Sequence, residues 1–353
     1  MEARHTMSSA NHHAGQPLWA ITSYFNPMRY KRKLANYRLF REHLPLPLIT
    51  VELSFGANDF DLREGEADIL IQLRGGDVLW QKERLLNVGL GALPSECTKV
   101  VWLDCDVVLG EDIFGEVDFG KGVLGEGGGW AEEVSGLLDE FVLVQAFSRV
   151  HHLPRDLPLG EASLVAAEFS QASTASAIAS GVSARTCLSR PARPRIQDAY
   201  SPGFAWASRR ELLDEHGFYD ALIMGGGDHA MACAAYGIFD VVMRYSMNER
   251  QSEHYLGWAK PFFESVRGAA SFADYELFHL WHGEMRYRRY RKRHEGLGHF
   301  QFDPYEDITI AENGSWRWAS DKPQMHGWVR EYFASRREDG LLSYRRSKHG
   351  RYE

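Results

Sequence analysis

Along the first hundred residues, short apolar runs alternate with amphipathic segments. Residues 18–25 (LWAITSYF) form an apolar run closed by Asn26 and Pro27, which reads as a buried strand ending in a turn. Leu34, Tyr37, Phe40 and Leu44 then recur at helical spacing with Lys31, Arg32, Lys33 and Arg38 between them, which predicts an amphipathic helix ended by Pro45 and Pro47. Residues 48–55 predict a second strand and residues 68–73 (DILIQL) a third, followed by Gly75 and Gly76 and a helix over 79–90. Residues 100–103 (VVWL) predict a fourth strand that runs directly into Asp104. Strands alternating with helices imply an α/β fold with a parallel sheet, whose ligand site lies at the carboxyl ends of the strands.

The pattern is less regular from 115 to 202, with one clear strand at 141–147 (FVLVQAF). Residues 162–183 are rich in Ala and Ser and lead into an Arg/Pro stretch reaching Arg195, which predicts a mobile loop or helical insertion of the kind that carries specificity. Residues 286–353 read as a small, mainly helical C-terminal extension to a domain spanning 18–285. In it Met325, Trp328, Val329, Tyr332 and Phe333 share one helical face, with Asp321 as N-cap, Pro323 in the first turn and Gly340 as the stop. Such a face must dock on something.

The 353 residues suffice for one large α/β domain with a tail or for two ordinary domains, and 44% apolar with 25% charged residues is an ordinary globular composition. A net charge of −8 argues against nucleic acid or anionic membrane as a partner for the whole surface. Cys97, Cys105, Cys187 and Cys233 show no metal-knuckle or disulfide spacing and read as reduced and buried. Residues 1–17 are polar and His-rich and read as a disordered tail. They lack the apolar core of a signal peptide, and no run reaches the roughly 18 apolar residues of a membrane span, so the expected location is cytoplasmic.

Three motifs carry chemistry. Asp104-Cys105-Asp106 ends an apolar strand and offers two carboxylates that can converge on a hard divalent cation, although a strand-ending turn produces the same pattern. Gly225-Gly226-Gly227-Asp228-His229 places an acid after three glycines and before an apolar helical stretch at 230–236. There Asp228 can act as a proton acceptor or as a simple N-cap. In Leu277-Phe278-His279-Leu280-Trp281-His282-Gly283, read as a strand, the two histidines face opposite sides unless the strand bends between them. His282, beside Gly283 at the strand end, is the better metal ligand, and His279 is assigned a structural role.

Taken in order, Trp80-Gln81-Lys82-Glu83-Arg84-Leu85-Leu86-Asn87-Val88-Gly89, the Asp104/Asp106 pair, Gly203-Phe204-Ala205-Trp206-Ala207-Ser208 and the Gly225 to Asp228 motif resemble the inverting beta-1,4-galactosyltransferase-like and family 2 glycosyltransferases of the GT-A fold. The likeness covers roughly 18–283. It implies a GT-A, Rossmann-like nucleotide-diphospho-sugar transferase domain with a UDP-sugar as donor, galactose or N-acetylgalactosamine as the sugar, and Mn2+ or Mg2+ as cofactor. By the same resemblance Asp106, Asp104 and His282 would hold the metal, Asp228 would be the catalytic base, and Asn26, Trp80, Lys82, Asp104 and Gly226 would bind the donor. The acceptor would be a glycan, a small molecule or a nucleic acid. Two departures stand out: the family's acidic cluster is reduced here to Asp228, flanked by Gly227 and His229, and the 115–202 stretch is much longer than its counterpart.

Two other functions would use the same residues, sugar-nucleotide binding without turnover and metal-dependent phosphohydrolysis. Weaker signals are set aside. Residues 115–122 (GEVDFGKG) nearly match a P-loop but end in Gly122 where Ser or Thr would ligate magnesium. His294, Glu295 and His299 have the wrong spacing for a zinc protease, and Asn313-Gly314-Ser315 is a glycosylation sequon by pattern only. The run from Arg286 to His294 (RYRRYRKRH) is strongly basic with interleaved tyrosines, a pattern that grips phosphates when it is not simply a solvated segment.

Overall fold

The computed structural model describes residues 17–110, 129–155, 157, 167–189, 199–289 and 292–340, together with the backbone of 4–7. The near P-loop at 115–122 and the Arg/Pro stretch through Arg195 lie outside the described residues, as does the start of the Ala/Ser-rich segment.

In chain order the elements are β1 (Arg4–Met7), β2 (Leu18–Phe25), α1 (Lys31–Glu42), β3 (Leu48–Ser54), β4 (Ile69–Arg74), α2 (Lys82–Leu90), β5 (Lys99–Leu103) and β6 (Val107–Leu109). There follow α3 (Trp130–Glu140), β7 (Leu143–Gln145), β8 (Arg149–His152), β9 (Phe169–Ala172), α4 (Thr174–Ala179), α5 (Ala184–Leu188), β10 (Ala205–Arg209), α6 (Arg210–His216), α7 (Gly227–Ala235), α8 (Phe239–Ser246) and α9 (Glu249–Val266). The chain ends with β11 (Ala270–Phe272), β12 (Glu276–His279), α10 (Lys292–Gly298), β13 (Ile308–Ile310), β14 (Trp316–Trp318) and α11 (Pro323–Ser335).

The main sheet has eight strands in the order β1-β4-β3-β2-β5-β10-β7-β11. Its centre, β4-β3-β2-β5, is parallel, as the alternation of strands and helices predicts. β10 is inserted antiparallel between β5 and β7. Within the expected N-terminal tail, Arg4–Met7 pairs antiparallel with β4. Every residue of β2 and β3 is buried because helices cover both faces. The strand period of two then sorts them: Trp19, Ile21 and Phe25 face a core shared with α2, α6, α7, α9 and α11, whereas Leu18, Ala20 and Tyr24 face α1 and α3. All four cysteines are free and buried. Among the described residues no helix is long and apolar enough to cross a membrane.

A second sheet, β6-β12-β8-β9, leaves the first immediately after Asp106. The strand expected over residues 277–283 stops at His279, and the following residues leave the sheet, so His282 is not held to the alternation that would point it away from His279. The strand expected over 141–147 is confined to Leu143–Gln145.

The C-terminal stretch is joined to the main domain at several points. Gln81, fully buried, donates from Nε2 to the Trp316 carbonyl (2.8 Å) and accepts from the Trp316 N–H at Oε1 (2.9 Å), which fastens the β13-β14 hairpin to the start of α2. α11 begins at Pro323 as expected, but its N-cap is Lys322 rather than Asp321, and it buries Met325, Val329, Tyr332 and Phe333 in the larger core. Just beyond it, Asp339 accepts from the N–H groups of Lys31 (3.1 Å) and Arg32 (2.8 Å), serving as the cap that Tyr30 does not provide for α1. Replacing Gln81 by Met leaves the Trp316 N–H without its partner and is expected to lower stability by about 2 kcal/mol, read as a fall in the urea midpoint at unchanged slope.

Candidate active site

The carboxyl ends of β2 and β5 open onto a cleft of about 450 Å³, within the usual range for small-molecule sites. Asp104 follows the last residue of β5 and is fixed by its own N–H, which donates to the Phe204 carbonyl (2.8 Å). Lys82, in the first turn of α2, reaches across with Nζ 2.6 Å from Asp104 Oδ1 and 2.8 Å from Asp228 Oδ2. Burial opposes the charge on Lys82, but Asp104, Asp228 and Glu83 together raise its pKa well above the ordinary value. Burial likewise raises the Asp104 pKa, against the pull of Lys82. Asp228 lies in the first turn of α7, one residue inside the helix, and is not its N-cap. That position belongs to Gly226, whose φ of +105° is a left-handed conformation open to glycine. A Cβ on Gly203 would lie 3.1 Å from Asp228 Oδ2, so the chain preceding β10 packs directly on this carboxylate.

Asp106 points the other way. Its Oδ2 is 3.1 Å from His282 Nε2, His282 Nε2 is 2.9 Å from His279 Nε2, and His279 Nδ1 is 2.9 Å from His152 Nδ1. The second sheet explains this gathering, because its register pairs His279 with His152 on one side and with Val107, the residue after Asp106, on the other. Burial first, then the neighbouring His152, His282 and Arg288, hold His279 well below the ordinary histidine pKa. His282 is lowered by burial and Arg288, against Asp106 and Glu338. Both imidazoles are therefore neutral at pH 7, the state a metal ligand requires.

These groups fit a divalent ion. One ligand atom from each of Asp106, His279 and His282 lies within 4.8 Å of the others, and with His279 Nδ1 donating to His152 its Nε2 keeps a free lone pair. Two imidazoles with one carboxylate make a mixed nitrogen and oxygen donor set, which suits a divalent transition ion better than Mg2+. Asp104, expected among the ligands, is instead drawn to Lys82, and His279, expected to be structural, takes its place in the cluster. Arg288 also approaches His282 Nε2 and competes for that atom.

Of the other expected site residues, Trp80, Lys82 and Gly226 line the cleft and Asn26 does not. The Asn26 side chain is consumed by the turn before α1: Oδ1 accepts from the Tyr30 N–H (2.9 Å), and Nδ2 donates to the Tyr30 carbonyl (3.0 Å) and to Asp61 Oδ2 (3.0 Å). Trp80 meets Phe25 edge-on and Phe333 face-on, with the Arg336 guanidinium 5.1 Å and that of Arg293 5.8 Å from its ring centre. Sequence reasoning missed Glu83, Arg336 and Glu338, all of which line the cleft. It also left the basic run unassigned. Within that run Arg288, Arg293 and His294 are buried in the cleft wall and Arg286 is exposed. Burial opposes ionisation of Glu338, but Arg336, with Nε at 2.6 Å, and His282 hold its carboxyl well below the usual range. The His279–His282 spacing of three at a strand end was the one signal in the sequence that pointed to a shared role.

No family model matches the sequence, and no curated protein matches it. Among solved structures, the catalytic domain of Drosophila beta1,4-galactosyltransferase 7 in complex with xylobiose is similar over 89% of this chain and 99% of its own, at 9% identity and a TM-score of 0.36. Staphylococcus aureus TarS 1-349 in complex with UDP-GlcNAc is similar over 62% of this chain and 53% of its own, at 13% identity and a TM-score of 0.32. At these values the functional reading is left to the site itself.

Proposed function

We propose that the cleft catalyses metal-dependent, inverting transfer of a sugar from a UDP-sugar to an acceptor hydroxyl. The observation that supports this most is the division of its three aspartates. Asp106 is joined to two neutral imidazoles, and Asp104 and Asp228 share one ammonium. The first set suits the diphosphate end of a donor and the second the hydroxyl end of an acceptor, and Trp80 lines the same cleft.

In this reading Asp228 Oδ accepts the acceptor's hydroxyl proton. The acceptor oxygen bonds to the anomeric carbon as the bond from that carbon to the diphosphate oxygen breaks, its electron pair leaving with UDP, and the single displacement inverts the configuration. Lys82 keeps Asp228 and Asp104 oriented and balances part of their charge. Asp106, His279 and His282 would hold a divalent ion, whose chemistry there would be to offset the charge of the departing diphosphate. Galactose or N-acetylgalactosamine is the sugar favoured by the motif resemblance, and a glycan is the acceptor class.

Asp228→Asn is expected to lower transfer by about 10²–10⁴-fold while UDP affinity, measured by calorimetry, stays within about threefold. A wild type that binds UDP-sugars and releases no UDP would instead identify a binding protein without turnover. Chelation of divalent ions is expected to weaken UDP binding by about tenfold or more. Asp106→Ala, titrated with UDP in Mn2+, should behave as the chelated wild type does. Equal affinity with and without Mn2+ would sink the assignment of Asp106, His279 and His282.

A further inference from the structure

The three glycines before Asp228 are not equivalent. Gly225 and Gly226 have φ of +80° and +105°, conformations that other residues rarely adopt. Gly227 opens α7 without a positive φ, so its backbone suits any residue. What excludes a side chain there is Glu83: a Cβ on Gly227 would lie 2.1 Å from Glu83 Oε1, 2.4 Å from Cδ and 2.6 Å from Cγ. The carboxyl of Glu83 thus occupies the volume that a side chain at 227, the position beside the proposed base, would fill.

Glu83 lies next to Lys82 in the first turn of α2, is only 5% exposed, and lines the cleft. Among the described residues no cation lies within ion-pair distance of it. Lys82, the adjacent cation, is committed to Asp104 and Asp228. Burying a carboxyl without a cationic partner is unfavourable, and such a group persists where it is used. Burial, with Asp228 and Asp104 adding to it and Lys82 opposing, raises the Glu83 pKa to about 8. At neutral pH the group is therefore largely the acid, able to donate a hydrogen bond to a sugar oxygen as well as accept one.

We propose that Glu83 is the second carboxyl of the active centre, binding the acceptor's hydroxyls beside Asp228 from the neighbouring helix in place of a side chain at position 227. This rests on the transfer reading above. The sequence motif shows one acid at this point, and the fold brings the second from α2.

The test is a swap. Wild type, Glu83→Ala, Gly227→Glu and the double variant Glu83→Ala/Gly227→Glu are compared for UDP affinity, thermal midpoint and UDP release. Release is followed from UDP-galactose, UDP-N-acetylgalactosamine and UDP-N-acetylglucosamine, with mono- and disaccharide acceptors. Glu83→Ala is expected to keep UDP affinity within about twofold and to lose about tenfold or more of transfer. Gly227→Glu alone should melt lower, since two side chains then contest one space. The double variant, with the carboxyl restored from α7, should regain transfer to within about threefold of wild type. If Glu83→Ala is poorly folded, Glu83→Met, close to it in size and without a hydrogen-bond donor, should show the same loss. Transfer at the wild-type rate in a folded Glu83 variant overturns the inference alone, as does a folded, UDP-binding double variant no more active than Glu83→Ala. A wild type that transfers nothing overturns the transfer reading and this inference with it.

Discussion

The ammonium of Lys82 between Asp104 and Asp228 is the contact on which the arrangement of the cleft depends. Two carboxylates brought together in a half-buried space repel each other and lose hydration, and a single cation within hydrogen-bonding distance of both offsets the two effects at once. The three residues come from the start of α2, the end of β5 and the start of α7. One local charge balance therefore fixes the relative placement of three elements, and removing the ammonium would leave two carboxylates uncompensated. The same contact explains why Asp104 is drawn toward Lys82, although it lies only two residues from Asp106.

The chain uses one short turn to separate two chemistries. Asp104 directly follows β5 of the main sheet, and Asp106 stands immediately before β6 of the second. Residues on the main-sheet side meet a fixed cation, whereas residues on the second-sheet side meet imidazoles kept neutral by burial. A spacing of two along the chain becomes a division between an oxygen pair suited to protons and hydroxyls and a mixed donor set suited to a metal ion.

Much of the fold was legible because it is written in local periodicity. The strand read over 18–25 is β2 residue for residue, and β3, β4, β5 and α2 lie where the apolar runs place them, within a few residues at their ends. Asp106, His282, Lys82, Trp80 and Asp228 all line the cleft, and each stood out in the sequence because it sits in a motif at an element boundary. The misses have a common physical origin in contacts that no spacing reveals. Asn26 carries a turn signature, but the turn itself uses its side chain. His279 was judged by strand alternation, which lapses where β12 ends. Glu83, Arg336 and Glu338 have no local mark, because their roles depend on which distant segment packs against them.

The cleft wall formed by Arg288, Arg293, Arg336 and Glu338 is drawn from the region that also holds the β13-β14 hairpin and α11, and Asp339 reaches back to cap α1. During synthesis the central parallel strands leave the ribosome long before this wall exists. An emerging chain can pair β2 through β5 and pack α1 and α2 while the aromatic face of Trp80 is still uncovered by Phe333 and Arg336. Completion of the cleft is thus a late event in the life of each molecule, and a ligand pocket of this shape is present only in chains translated past Asp339.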